Sequence, residues 1–116
     1  SDIEQVRIVN LDGADYLDTV GQPTPRKQKG PLTFKGEVDS IYDSSENILL
    51  VDDLSGRTLL IEKTGSPSTV IWNPWKEKSA ALVDLPDDGY RKFCCIESAI
   101  ANDKAVIVMP GTSHVL

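Results

Sequence analysis

Short stretches of alternating apolar and polar residues recur along the whole chain, each closed by Gly, Pro, Asp or Asn. Alternation with period two, cut every eight to twelve residues by turn formers, specifies β-strands and leaves room for little else. Residues 6–11 alternate weakly and end at Asp12-Gly13; residues 16–20 make a further short strand. Residues 32–42 are the longest strand expected. Their alternation puts Thr33, Lys35, Glu37 and Asp39 on one face and Phe34, Val38 and Tyr42 on the other. Residues 47–51 and 57–63 flank Asp52-Asp53-Leu54-Ser55-Gly56, the pattern of a hairpin. Strands over 69–72, 93–96 and 105–109 complete the set, with turns at 65–68 and at Pro110-Gly111. Residues 76–82 alone read as helix, and residues 21–30, with two prolines, two glycines and three cations, read as an exposed loop. The expected fold is all-β, an antiparallel β-sandwich, with 1–116 as a single domain.

Charge narrows the partners. Eighteen acidic against twelve basic residues give a net charge of −6, spread along the chain. Neither a basic patch nor basic-aromatic interleaving is present, so nucleic acid and anionic membrane surfaces are not the expected partners. No apolar run reaches the length of a membrane-spanning helix, and the N-terminal residues lack the pattern of a secretory signal. Cys94 and Cys95 are adjacent in an expected strand, point to opposite faces and do not pair with each other. A reducing, cytoplasmic setting fits them.

No metal or cofactor is expected. The two cysteines have no matching ligands for zinc, and no glycine-rich phosphate loop occurs. Asp12, Asp15 and Asp18, and likewise Asp84, Asp87 and Asp88, do not follow a calcium-loop pattern and read as turn formers. His114 is the single histidine and is expected to be exposed and idle.

Chemistry concentrates in two places. Both tryptophans fall in Trp72-Asn73-Pro74-Trp75, and an apolar strand ends in Glu97. Phe93 and Cys95 share the face of Glu97 while Cys94 and Ile96 take the other, so the strand reads as buried on both sides. A carboxylate there must be ion-paired or used. Asp39 closes a polar strand face; it reads either as part of a solvated surface or as an acceptor for sugar hydroxyls, which a carboxylate binds with charge assistance. Asp39 and Glu97 together also suit a glycosidase pair, a weak signal in any acidic all-β chain. Trp72 and Trp75 are candidates to line a pocket or to pack a corner. Lys78 is a candidate phosphate contact on a face that otherwise reads as solvated.

Four segments, in order, resemble the hexose-6-phosphate mutarotases (glucose-6-phosphate 1-epimerases) of the aldose 1-epimerase group. Tyr16-Leu17-Asp18 is similar to that family's YLD segment, and Gly36-Glu37-Val38-Asp39-Ser40-Ile41-Tyr42 to its GEVDRIY strand. Trp72 to Lys78 resembles its WNPW-EK signature, and Asp87-Asp88-Gly89-Tyr90 through Cys95-Ile96-Glu97 its DDGY…CVE block. The resemblance implies a galactose-mutarotase-like supersandwich that interconverts the α and β anomers of a hexose 6-phosphate by acid–base ring opening. It implies Glu97 as the general base and Asp39 as a substrate ligand. The family's histidine acid lies in an HTYF-like motif just before the segment corresponding to Ser1, and its phosphate-binding cations lie mostly upstream. Its Arg after the Asp is Ser40 here. The chain therefore reads as a C-terminal portion carrying the base without the acid. Exposed strand faces in such a portion are expected to drive self-association. A non-catalytic carbohydrate-binding module, or an inactive fragment, is the rival reading.

Overall fold

The computed structural model describes residues 2–62, 67–81, 89–98 and 105–108. The expected turns at 65–66 and 110–111, the end of the helix at Leu82, the aspartates at 84, 87 and 88, and His114 lie outside them.

Among the described residues, ten strands form two antiparallel sheets. The smaller has the order β4-β1-β6-β7, built from Leu32–Thr33, Val6–Ile8, Ile48–Asp52 and Arg57–Ile61. The larger has the order β10-β9-β8-β5-β2-β3. Its strands are Ala105–Val108, Cys94–Ser98, Ser68–Asn73, Val38–Asp43, Asp15–Asp18 and Thr24–Lys27. A single α-helix among the described residues, α1 (Trp75–Ala81), and two 3-10 turns (Ile3–Gln5 and Gly89–Lys92) complete the order.

The alternation seen in the sequence is what lets the sheets close on each other. β6 buries Ile48, Leu50 and Asp52 in turn, and β8 buries Thr69, Ile71 and Asn73. Ile8, Ile48 and Leu50 from the smaller sheet meet Tyr42, Ile71, Cys94 and Ile96 from the larger in one buried cluster. The result is an antiparallel β-sandwich, as the strand pattern requires. The hairpin between β6 and β7 is fixed by Asp52, whose side-chain oxygen accepts the Leu54 and Ser55 amides at 3.1 and 3.3 Å. Gly56 takes φ +71°, the left-handed conformation that suits glycine.

Two expectations are corrected. Residues 21–30 are exposed but are not all loop: Thr24–Lys27 forms β3, an edge strand paired with β2. Pro25 is tolerated because only an edge leaves one side of the ladder without a partner to lose. The long strand over 32–42 is two strands in two sheets. β4 pairs with β1, and β5 pairs with β2 and β8. Between them Phe34, with no exposed surface, inserts into the core, and the chain crosses from one sheet to the other. Burial of that ring outweighs a continuous ladder.

Candidate functional site

The register of the larger sheet gathers the residues singled out above. Asp39 on β5 lies opposite Trp72 on β8, and Trp72 opposite Cys95 on β9. Two residues along, Ile41 lies opposite Val70, and Val70 opposite Glu97. Side chains two apart on a strand share a face, so these six make a patch of two rows of three on the side of the sheet away from the core. Asp39 and Glu97 occupy diagonal corners. At ordinary strand spacings their Cα atoms stand roughly 12 Å apart, with the side chains of Trp72 and Val70 between them.

Both carboxylates are half-buried, and among the described residues no hydrogen bond or ion pair reaches either carboxylate. Glu97 follows Cys94, Cys95 and Ile96, all buried, and is itself half-buried. The backbone carbonyl of Asp39 accepts two hydrogen bonds from Thr19, one from its amide and one from Oγ1, both at 2.8 Å. That fixes where the Asp39 side chain starts.

Lys78, on α1, donates to Glu37 Oε2 at 2.5 Å. The hydrogen bond to Glu37, its charge and then the charge of Asp39 hold the ammonium above its ordinary range. Lys78 thus belongs to the same corner as Asp39, as an exposed cation. Trp72 is half-buried on the outer face and leans on Phe93, with ring centroids 5.8 Å apart. Trp75 turns the other way. It packs on the core and on Tyr90 at 5.0 Å, and its φ of +62° is unusual for a bulky residue. Asp39, Trp72, Lys78 and Glu97 are brought together; Trp75 is not on that face. Ser40 is buried on the core side of β5, opposite Ile71, so this position does not project toward the patch.

Sequence reasoning passed over Val70 and Ile41, whose place is set only by strand register, and Asn73. Asn73 is fully buried and its side chain makes three hydrogen bonds. The aspartates at 12, 15 and 18 are taken up locally. Asp12 accepts from the Gly30 amide, Asp15 faces Lys27, and Asp18 accepts from Arg26 and the Val20 amide. Beyond Ile41 the same face runs into an open groove of about 640 Å³ along β2 and β3, lined by Leu17, Pro25 and Lys27 among others. It shares Ile41 alone with the patch.

The two cysteines are free. Burial first, then the neighbouring Cys95, pushes the Cys94 thiol up to about 12; burial first, then the charge of Glu97, pushes Cys95 up to about 11. Both are therefore neutral at pH 8, where the native protein should react with a thiol reagent far more slowly than the unfolded chain. The unfolded thiols ionise near 9 and the native ones above it, so their contribution is intact below pH 9 and lost as pH rises toward 11–12. Thiol-reagent kinetics and urea midpoints measured at pH 8 and pH 10.5 check both statements.

A family model described as "Aldose 1-epimerase" matches residues 1–116. The chain belongs to the aldose 1-epimerase family. A protein of Cenchrus ciliaris is 34% identical over 113 residues, which is 96% of this chain and 34% of that protein. One from Escherichia coli (strain K12) is 27% identical over 115 residues, 97% of this chain and 39% of the relative. One from Salmonella typhimurium is 30% identical over 102 residues, 86% of this chain and 34% of the relative. All three carry the name "Putative glucose-6-phosphate 1-epimerase". This aldose 1-epimerase family chain thus spans just over a third of the length of the curated relatives it matches.

Proposed function

We propose that this chain carries the base and a sugar-binding carboxylate of a hexose-6-phosphate 1-epimerase, acting on an aldohexose 6-phosphate of the glucose type. One observation carries the reading. Two half-buried carboxylates without partners among the described residues share one sheet face, across an apolar floor, in a member of the aldose 1-epimerase family. The names of the relatives support the substrate class.

Glu97 takes the proton from the anomeric hydroxyl. The C1–O5 bond breaks, C1 becomes an aldehyde carbon, and O5 takes a proton from an acid. Rotation about C1–C2 and reclosure, with both proton transfers reversed, give the other anomer. Positioned proton transfer of this kind contributes about 10²–10⁴-fold. We assign the acid role to the histidine that the family resemblance implies, which is not among the residues of this sheet face. We assign Asp39 to the ring hydroxyls, Trp72 and Val70 to the apolar face of the sugar, and Lys78 to the phosphate. The two free thiols suit a reducing compartment such as the cytoplasm.

Asp39→Asn loses a charge-assisted hydrogen bond, about 1.5–3 kcal/mol, and should raise KM for glucose 6-phosphate by roughly tenfold or more with a smaller effect on kcat. Initial rates over a range of sugar phosphate check it. The reading itself is tested by magnetisation-transfer NMR of anomer exchange in glucose 6-phosphate, with glucose as the control. Saturable acceleration supports it. Exchange is measured with the histidine-bearing segment of the family present; there, binding without acceleration favours a carbohydrate-binding module that uses the same face, and neither binding nor acceleration overturns both.

A further inference from the structure

We propose that Asn73 is a positioning residue that sets β9 against β8 and so determines where Glu97 stands relative to Trp72 and Val70. The inference rests on the reading of that face as the sugar site. The geometry around one buried amide carries it.

Asn73 ends β8 with no exposed surface. Its Nδ2 group donates to the Tyr90 carbonyl at 2.8 Å and to the Phe93 carbonyl at 2.7 Å. Its Oδ1 accepts the Trp75 amide at 2.8 Å. Two carbonyl acceptors on one side and an N–H donor on the other fix the orientation of the amide without ambiguity. Asparagine is the shortest side chain that offers two donors and an acceptor.

Those three bonds join the two ends of the only stretch of chain between β8 and β9. Tyr90 lies in the 3-10 turn Gly89–Lys92, and Phe93 is the residue before β9. Gripping both carbonyls pins the entry to β9 at one height along β8. From that height the ladder runs Trp72 opposite Cys95, then Val70 opposite Glu97. A slip of one residue on β9 would send Glu97 to the core face, because strand side chains alternate. On its other flank Asn73 is opposite Val38, the residue before Asp39. One buried amide therefore lies at the meeting point of all three strands that bear the patch.

The third bond does a related job. The Trp75 φ of +62° is one that bulky residues seldom adopt. Its amide is held by Asn73 and its ring by Tyr90. This sharp corner starts α1 just after the sheet, and α1 carries Lys78 over Glu37.

The test compares Asn73→Asp with Ile8→Val, a mild core change in the smaller sheet away from the patch. Aspartate keeps the acceptor for Trp75 but loses both donors. Both variants are examined at a temperature where circular dichroism shows them folded. Cross-strand nuclear Overhauser contacts between Val70 and Glu97 and between Trp72 and Cys95 report the register, and the ¹³C chemical shift of the Glu97 carboxyl at a fixed pH reports its surroundings. In Asn73→Asp the two contacts should be lost or moved and the Glu97 carboxyl resonance displaced; Ile8→Val should match the wild type. Glucose 6-phosphate affinity should fall about tenfold in the first variant alone. Should Asn73→Asp fail to fold, Asn73→Ser, which keeps one donor, takes its place. A folded variant with wild-type contacts and a wild-type Glu97 carboxyl resonance overturns the positioning role. If the contacts move but the wild-type protein binds no sugar phosphate, the strand-setting role stands and the sugar-site reading falls.

Discussion

With the acid present, Glu97→Gln is expected to slow anomer exchange of glucose 6-phosphate by about 10²–10⁴-fold, the contribution of a positioned general base. Glutamine has the same shape and still accepts hydrogen bonds through its carbonyl oxygen, so sugar affinity should change little. What it cannot do is take the proton from the anomeric hydroxyl. The site makes this a clean substitution. Glu97 is half-buried at the end of β9, and among the described residues it has no ion pair to break. Neutralising it strands no partner charge, and the fold should keep its stability. Exchange measured by magnetisation transfer, alongside binding measured by titration, separates this outcome from a binding role. A parallel fall in affinity and exchange would make Glu97 a ligand rather than the base.

The second large effect concerns the fold. Phe34→Ala should cost about 3–5 kcal/mol, the range for truncating a fully buried aromatic. Phe34 lies at the crossing between β4 and β5, where the chain leaves one sheet for the other, and it has no exposed surface. Its ring fills the space beneath that crossing, and β5 carries Asp39. Leu54→Ala, at a residue 67% exposed in the hairpin turn, should stay within about 0.5 kcal/mol. Urea unfolding of the two variants gives both values, and a small cost at Phe34 would mean that the crossing is not a packed part of the core.

Much of the fold was legible because burial imposes its period on the sequence. β6, β7 and β8 appear where alternation and turn residues put them, and so does the hairpin at Gly56. Period two says which residues share a face but not which sheet a strand joins. That is why residues 32–42 read as one strand although Phe34 divides them. β3 was hidden because Pro and cations are poor strand formers in general, yet acceptable on an edge. Asp39 and Glu97 stood out as carboxylates at the ends of apolar or alternating runs. Their shared face could not be derived from the strands alone, since it depends on the register of β5, β8 and β9. Asn73 was legible only as part of a motif. A buried amide that grips two carbonyls some twenty residues on leaves no local trace.

The outer face of the larger sheet is the proposed place where the sugar phosphate binds. The most direct measurement is a titration of the ¹⁵N-labelled protein with glucose 6-phosphate, followed residue by residue through amide and indole resonances. Saturable shifts are expected at Asp39, Ile41, Val70, Trp72, Cys95 and Glu97, with smaller ones at Lys78 and none in the smaller sheet. Shifts confined to the groove around Leu17, Pro25 and Lys27, or no saturable shifts in a folded sample, would contradict it.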